Sequence, residues 1–157
     1  MDTIYLDYNC FQRSFDDASQ IRIRMEALAC QEVFRRAEIK RVRLVWSFMH
    51  QDETLMCPFP ERKIEALRLA LLCQERVGPS DEIYHLAKSF QLQANLLAKD
   101  ALHLACAVQS KSKLFLTCDG RLIKQARRLS LPLRVMNPIE YIGLESEVNS
   151  GTDANVE

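Results

Sequence analysis

Residues 113–126, KLFLTCDGRLIKQA, join an apolar run to an acidic residue and then to a helix-forming segment. The run KLFLTC has the aliphatic and aromatic residues of a buried strand, and Asp119 follows it directly. The segment from Gly120 onward has helical spacing of its apolar residues. Ligands of open α/β sheets gather beyond the carboxyl ends of the strands. The stretch therefore predicts a parallel sheet whose carboxyl edge carries an acid.

The first residues of the chain repeat this arrangement. The run TIYLD (residues 3–7) is another short apolar strand, and it ends in Asp7. Along the rest of the chain, predicted strands alternate with predicted helices, which is typical of a parallel sheet covered by helices on both faces. Further strands are predicted at 42–46, around 77 and at 133–136, and helices at 18–40, 61–76, 80–90, 97–110 and 120–129.

Length and composition favour one domain followed by a tail. A chain of 157 residues with 48% apolar residues can bury one core, and it is short for two. Residues 145–157 contain four acids and no Lys or Arg, so we expect a disordered acidic tail after a domain spanning 1–144. The whole chain has 21 basic and 21 acidic residues, which gives no evidence of a strongly basic nucleic-acid binder.

The cysteines and the apolar runs bear on the cellular location. Six cysteines occur without a CxxC pair, which favours free thiols over a zinc or redox motif. No apolar stretch reaches the roughly 18 to 20 residues of a membrane span, and no targeting segment is apparent. We therefore expect a cytoplasmic protein that does not enter a membrane.

Two further acids complete a candidate metal site. Glu53 follows the segment LVWSFMHQD (residues 44–52), where Ser47 is a good helix N-cap, and Asp100 opens KDALHLACA (residues 99–107). Mg²⁺ prefers oxygen ligands and keeps several waters, so a few carboxylates from different elements can hold it. A bound cation relieves the repulsion among the carboxylates and activates a water against a phosphodiester. The four acids together predict metal-dependent hydrolysis.

Each acid also has a simpler interpretation. Asp119 can be a helix N-cap, worth ~1 kcal/mol, and Asp100 can favour a helix N-terminus through the helix dipole. Glu53 adjoins Asp52, and such a pair is often a solvated helix face. Asp7 is the hardest to explain this way, because an acid at the end of an apolar strand needs a cation or hydrogen bonds to offset its desolvation.

These blocks resemble the PIN-domain nucleases, whose members include the VapC-type ribonuclease toxins of prokaryotes. IYLDYNCFQRSFDD (residues 4–17) is similar to the family's first strand and loop, and MNPIEYI (residues 136–142) to its closing strand and turn. The resemblance implies a Rossmann-like α/β/α sandwich around four to five short parallel strands, an Mg²⁺ or Mn²⁺ site and cleavage of RNA. It implies metal-site acids at Asp7, Glu53, Asp100 and Asp119, with Asn9, Ser47 and Thr117 in supporting positions. An antitoxin partner and a homodimer are expected by the same resemblance.

Two positions depart from the family pattern and keep other functions open. Tyr8 stands where many relatives have Thr or Ser, and Gly120 where a further acid is common. One alternative is therefore a weakened PIN fold that binds RNA or protein without cutting. Another is a phosphohydrolase with Asp7 as nucleophile, although such enzymes would favour an acid at the position of Asn9.

A basic stripe begins beside Asp119. Arg121, Lys124 and Arg128 recur at spacings of three and four residues, so they share one side of a predicted helix. This stripe is either a solvated helix face or a contact to the phosphates of an RNA backbone. His103, in contrast, is interpreted as a partly buried structural residue outside the catalytic set, and Trp46 as part of the core.

Overall fold

A computed structural model describes residues 1–144, and in this part of the chain five short strands form one all-parallel sheet. The strands are β1 (Asp2–Leu6), β2 (Val42–Ser47), β3 (Glu75–Val77), β4 (Leu114–Leu116) and β5 (Arg134–Met136). Their order across the sheet is β3-β2-β1-β4-β5, with β1 in the middle. Ile4 of β1 is paired both with Leu44 of β2 and with Leu114 of β4. The predicted α/β fold with four to five parallel strands is confirmed.

Helices cover both faces of this sheet. They are α1 (Tyr8–Gln12), α2 (Ile21–Glu38), α3 (Phe48–Met56), α4 (Pro60–Ala70), α5 (Asp81–Ala94), α6 (Ala98–Gln109) and α7 (Gly120–Ala126). Residues 13–15 form a 3-10 turn after α1, and residues 138–144 are helical after β5.

Alternation along β1 divides the core into two layers. Ile4 and Leu6 point to the face that α1, α2 and α4 cover, whereas Tyr5 points to the face of α5, α6 and α7. Successive side chains of a strand point to opposite faces, so a central strand buried on both sides must be apolar throughout. This requirement explains the continuous apolar run at the start of the chain.

The order of the strands creates a crevice beside β1. The chain passes from β1 to β2 on one side of the sheet, and later elements place β4 and β5 on the other side. Such a reversal leaves an opening at the carboxyl ends of the two strands that flank it, which here are β1 and β4. The fold thus provides a ligand site where both strands end in acids.

Several predicted helix ends differ from the structure, and one predicted loop was wrong. The helix predicted at 18–40 spans Ile21–Glu38. The helix predicted at 61–76 ends at Ala70, since Glu75 and Arg76 pair with β2 as strand β3. The helix predicted at 120–129 ends at Ala126. The loop expected after the first strand contains α1, whose N-cap is Asp7. Strand pairing outweighed local helix propensity at Glu75 and Arg76, whereas capping by Asp7 starts a helix where a loop was expected.

Two further predictions concern the C-terminal tail and the absence of a membrane span. The acidic tail predicted at 145–157 lies outside the described residues, so the proposed boundary at 144 stays a prediction. None of the helices within residues 1–144 combines the length and the apolar character that a bilayer crossing requires.

Candidate metal centre

Two of the predicted acids lie at neighbouring strand ends. Leu6 of β1 is paired with Leu116 of β4, and Asp7 and Asp119 follow these residues by one and three positions. The backbone N–H of Asp7 donates to the carbonyl oxygen of Leu116 at 2.8 Å, which continues the ladder past the end of β1. The sheet itself therefore brings the two acids to the same edge.

Asp7 is nearly buried and is held by three donors. The backbone N–H of Tyr8 donates to Oδ1 at 2.7 Å, while the hydroxyl of Thr117 (2.7 Å) and the amide of Asn9 (3.2 Å) donate to Oδ2. Burial raises the pKa of Asp7 above its ordinary value, and the nearby Glu53 adds to this, whereas His103 and the bonds from Thr117 and Tyr8 oppose it. The carboxylate is fixed in position, although burial disfavours its charge.

Asn9 and Thr117 connect Asp7 to the loop that carries Asp119. The hydroxyl oxygen of Thr117 accepts from the amide of Asn9 at 3.2 Å and from the backbone N–H of Asp119 at 3.0 Å. The side-chain oxygen of Asn9 accepts from the backbone N–H of Cys118 at 3.2 Å. Two of the three residues predicted as supporting side chains, Asn9 and Thr117, thus link the two strand-end acids.

Asp119 has the capping role that the simpler interpretation gave it. Its Oδ1 atom accepts from the backbone N–H groups of Arg121 and Leu122, at 3.0 and 3.3 Å, at the start of α7. Both of these bonds go to the same oxygen, so capping engages one side of the carboxylate. The capping role and a metal-binding role are compatible in this geometry.

Asp100 lies in the first turn of α6 and faces the other acids. Burial first, and the negative charges of Asp7, Asp119 and Glu53 second, raise its pKa from 3.8 to about 6, while His103 opposes the shift. Like charges at short range penalise ionisation of all members of a cluster. The four predicted acids therefore interact electrostatically across elements that are distant in the sequence.

Glu53 reaches the centre from α3. Ser47 caps this helix, and together with His50 it forms a capping box that fixes the start of α3 at the end of β2. The Oε1 atom of Glu53 lies 2.8 Å from Nε2 of His103, on α6. Because a carboxylate only accepts, the Nε2 atom of His103 carries the proton in this contact.

A buried polar chain continues from His103 beneath the acids. Its Nδ1 atom lies 2.6 Å from the hydroxyl of Tyr5, which is 2.7 Å from the hydroxyl of Ser47. The backbone N–H of Ser47 donates to Nδ1 of His50, so His50 carries its proton on Nε2 and donates to the carbonyl of Leu6 at 2.7 Å. Burial lowers the pKa of His50 well below its ordinary value, which matches this neutral form.

The sequence interpretation missed the contacts of both histidines. His103 was placed outside the site as a structural residue, and it is indeed buried, but it bonds directly to Glu53. The available signal was that a buried imidazole requires polar partners, and that His103 lies three residues from Asp100 on one side of a helix. His50 was not singled out, although its position three residues after Ser47 is that of a capping box.

The donor set suits a hard divalent cation. All four acids offer carboxylate oxygens, and the partly buried Asp100 has a raised pKa in the absence of a cation because of burial and the neighbouring negative charges. Within residues 1–144, three cysteines are the only group of three or more candidate ligand atoms that all lie within 4.8 Å of one another. The acids are more widely spaced, which fits an ion that keeps part of its water shell.

The two departures from the family pattern have local explanations. The hydroxyl of Tyr8 lies 2.9 Å from that of Thr54 on α3. The backbone N–H of Tyr8 donates to the carboxylate of Asp7. A hydroxyl reaches Asp7 from Thr117. At Gly120, a Cβ atom would meet nothing within 4 Å, so the position has room for a side chain.

Exposed basic side chains occur on and just after α7, and further basic residues line a cleft that borders Glu53. Arg121 and Lys124 are exposed on α7, whereas Arg128 lies beyond the end of this helix and is also exposed. No ion pair within residues 1–144 involves these three side chains. A separate open cleft of ≈ 550 Å³ borders Glu53, and Lys99 and Arg62 contribute to its lining.

Comparison with known proteins gives two likenesses. A family model described as PIN domain matches residues 13–128. A chain from the crystal structure of VapBC2 from Rickettsia felis bound to a DNA fragment from their promoter is similar in fold, with a TM-score of 0.56 and 14% sequence identity. This match covers 86% of the present chain and 98% of the other chain. A search of curated proteins gave no significant match.

Proposed function

The chain belongs to the PIN-domain family, and from this premise we propose that it is a metal-dependent endoribonuclease. Asp7, Glu53, Asp100 and Asp119 bind Mg²⁺ or Mn²⁺ in this proposal. The observation that carries it is the placement of Asp7 and Asp119 just after the paired ends of β1 and β4, with Asp100 and Glu53 close enough to interact with them. Burial first and the neighbouring negative charges second raise the pKa of Asp100 to about 6. Such an arrangement is unfavourable without a cation and favourable with one.

The proposed chemistry is hydrolysis of a phosphodiester. A bound divalent ion supplies charge stabilisation and a more acidic water. Asp7 is the fixed member of the site, because three hydrogen bonds hold its two oxygens. Asp119 is oriented through the backbone of α7, and Asp100 through the first turn of α6. The protein's part is to hold these oxygens in place, which limits reorganisation during the reaction.

Glu53 has a separate role in this proposal. Its Oε1 atom is engaged by His103, which leaves the other oxygen to face the centre. The chain His103–Tyr5–Ser47 fixes the imidazole, as the outer partners of metal ligands commonly do. His103 therefore positions Glu53 in this proposal.

The proposed substrate is an RNA strand that crosses the edge of the sheet. Arg121, Lys124 and Arg128 are exposed on and just after α7, whose N-cap is Asp119, and Lys99 adjoins Asp100 in the sequence. Contacts of Lys and Arg to phosphates position a nucleic acid without reading its sequence. We expect this binding to weaken as salt concentration rises.

The proposed biological context is a toxin–antitoxin pair in which this chain is the toxin. The similar fold in the VapBC2 crystal structure supports this context. The partner would be an antitoxin protein, and the active form a homodimer. Co-expression of the chain with the product of a neighbouring small gene, followed by size-exclusion chromatography, tests both statements.

The rival functions predict different binding. A PIN fold that only binds RNA or protein would have no measurable affinity for Mn²⁺ at millimolar concentration, which calorimetry can determine. A phosphohydrolase with Asp7 as nucleophile is disfavoured, because such enzymes favour an acid at the position of Asn9, whose amide here donates to Asp7. Trapping of a phosphoaspartate at Asp7 would revive it.

The decisive experiment compares two acids of one strand region. Asp7→Asn keeps the shape of the side chain and removes its charge, so we expect Mn²⁺ affinity and RNA cleavage to fall at least ~100-fold. Asp2→Asn is the matched control, since Asp2 is exposed at the opposite end of β1. Cleavage that needs no metal and persists in Asp7→Asn would overturn the proposal.

A further inference from the structure

Three cysteines converge behind the acids. Cys10, Cys30 and Cys118 come from α1, from α2 and from the loop after β4, and their sulfur atoms all lie within 4.8 Å of one another. All three are buried, with 2%, 1% and 8% of their surface exposed. We call this group the thiol triad. Residues far apart in the sequence thus form a compact set of soft ligands.

Burial alone does not account for this convergence. Cys73 and Cys106 are also buried, but neither belongs to a group of candidate ligands in the described part of the chain. Cys73 fills a core position and donates weakly to the carbonyl of Leu69 at 3.7 Å, as a free cysteine in a core commonly does. The chain therefore contains both kinds of buried cysteine, which permits a direct comparison.

The surroundings of the thiol triad are polar for a core. The carboxylate of Glu26 is fully buried and interacts electrostatically with Cys30 and Cys118, while Arg13 interacts with Cys118 and pairs with Glu26 at 2.8 Å. Oxygen donors are also near, since Cys10 lies 3.5 Å from both the side-chain oxygen of Asn9 and the carbonyl oxygen of Leu116. A cation coordinated by the three thiolates would therefore lie near oxygen atoms and near the ion pair of Arg13 and Glu26.

From this geometry we propose that the thiol triad binds a thiophilic divalent cation of the Zn²⁺ class. A Zn–S bond of about 2.3 Å in tetrahedral geometry separates sulfur atoms by about 3.8 Å, so the present spacing requires shifts below about 1 Å. Binding forms three metal–sulfur bonds and releases to solvent the protons that the three sulfur atoms still carry. The resulting group has one net negative charge, and the attraction between Arg13 and Cys118 offsets part of it, although Arg13 also pairs with Glu26.

One member of the thiol triad borders a cleft that is open to solvent. Cys10 lines this cleft of ≈ 350 Å³ between α1, α2 and α4, and the charged lining residues are Arg35, Arg68, Glu38 and Glu65. The site is distinct from the acids, since it shares no ligand residue with them. Cys118 lies between Thr117 and Asp119, so a cation bound to its sulfur would restrain the loop that carries Asp119.

The test uses a signal that only sulfur ligands give. Reduced, metal-free protein is titrated with Cd²⁺ under a phosphine reductant, and sulfur-to-cadmium charge-transfer absorption is recorded in the ultraviolet. We expect saturation at one equivalent and displacement by excess Zn²⁺. Cys30→Ala should abolish the band, because it removes one of the three sulfur ligands. Cys30 lies on α2, away from the acid loop, so this variant leaves the acids unchanged. Cys73→Ala, the matched control, should keep it.

The acids cannot imitate this result, because carboxylate-bound Cd²⁺ has no sulfur charge-transfer band. Absence of the band at one equivalent in the unmodified chain, or its survival in Cys30→Ala, would overturn the proposal. An experiment without variants covers the case in which Cys30→Ala does not fold. X-ray absorption at the zinc edge of the loaded full chain should show three sulfur ligands at about 2.3 Å, and a shell without sulfur would exclude the site.

Discussion

Asp7 and Glu53 belong to one candidate metal centre but are held in different ways. Asp7 accepts from Tyr8, Asn9 and Thr117. These donors directly follow the ends of the paired strands β1 and β4. Glu53 projects from a helix and is held by His103, whose own position depends on Tyr5 in the core. The strand-end acid is thus supported redundantly, whereas the helix-borne acid depends on one buried histidine.

The largest loss of stability is expected at His103, because Glu53 is held by this one side chain. His103→Ala removes the partner of Glu53 and leaves the hydroxyl of Tyr5 without one of its bonds, so we expect a loss of about 3 kcal/mol in the free energy of unfolding. Mn²⁺ affinity should fall about 10-fold to 100-fold. Urea denaturation and calorimetry measure the two effects.

Two further variants separate positioning from stability in this case. His103→Gln keeps an amide donor near the position of Nε2, so it should recover most of the Mn²⁺ affinity without recovering all of the stability. His85→Ala is the matched control, because His85 is exposed on α5. Equal Mn²⁺ affinity in His103→Ala and the unmodified protein would contradict the positioning role.

Removal of one hydrogen bond to Asp7 should lower the free energy of unfolding by less. Thr117→Val removes the hydroxyl that donates to Asp7 at 2.7 Å, but Asn9 and Tyr8 keep their bonds to the same carboxylate. We expect the free energy of unfolding to fall by about 2 kcal/mol. Thr3→Val on β1, which lacks this contact to Asp7, should change it by no more than ~0.5 kcal/mol. A larger loss for Thr117→Val than for His103→Ala would reverse the comparison.

The third prediction concerns the mutual repulsion of the acids. The pKa of Asp100 is raised to about 6 by burial first and by the neighbouring acids second, so its charge opposes folding of the metal-free protein. For a carboxyl with a raised folded-state pKa, the folded protein binds more protons, and stability is lost as pH rises from about 4 through about 6. Asp100→Asn should therefore stabilise the metal-free protein at pH 7 and not at pH 4.

Solvent screening at this half-buried site limits that gain to about 1–2 kcal/mol. The same variant should lose the increase in melting temperature that Mn²⁺ gives the unmodified chain. Asp81→Asn is the control, because Asp81 is an exposed acid in the first turn of α5. The repulsion is contradicted if Asp100→Asn has the same stability as the unmodified protein at pH 7 without metal.

The smallest effect is expected from an added acid. Gly120→Asp places a carboxylate next to Asp119, where nothing lies within 4 Å of a new Cβ atom. We expect Mn²⁺ affinity to rise by up to about tenfold, since an additional oxygen ligand favours a hard cation. Gly120→Asn serves as the neutral control, and calorimetry measures both. A lower affinity in Gly120→Asp than in Gly120→Asn would show that the position faces away from the cation.

The sequence predicted the fold class correctly, but it predicted the ends of several helices less accurately. Alternating apolar runs and helical spacings predicted the parallel sheet, and the capping position of Ser47 before α3 was also correct. The helix predicted at 61–76 was too long, because strand pairing of Glu75 with β2 competes with helix propensity and cannot be inferred locally. The contact of His103 with Glu53 joins residues 50 positions apart, so no local pattern reveals it.

By itself the sequence determined most of the elements, α1 excepted, and which of the strands are followed by acids, because periodicity, capping residues and strand composition act over a few neighbouring positions. Asp7 and Asp119 were assigned to one edge on this basis alone. Only the tertiary structure decided that Asp100 lies within electrostatic range of both, and that Cys10, Cys30 and Cys118 meet behind them. These relations depend on strand order and on how helices pack across the sheet, which are set by long-range contacts.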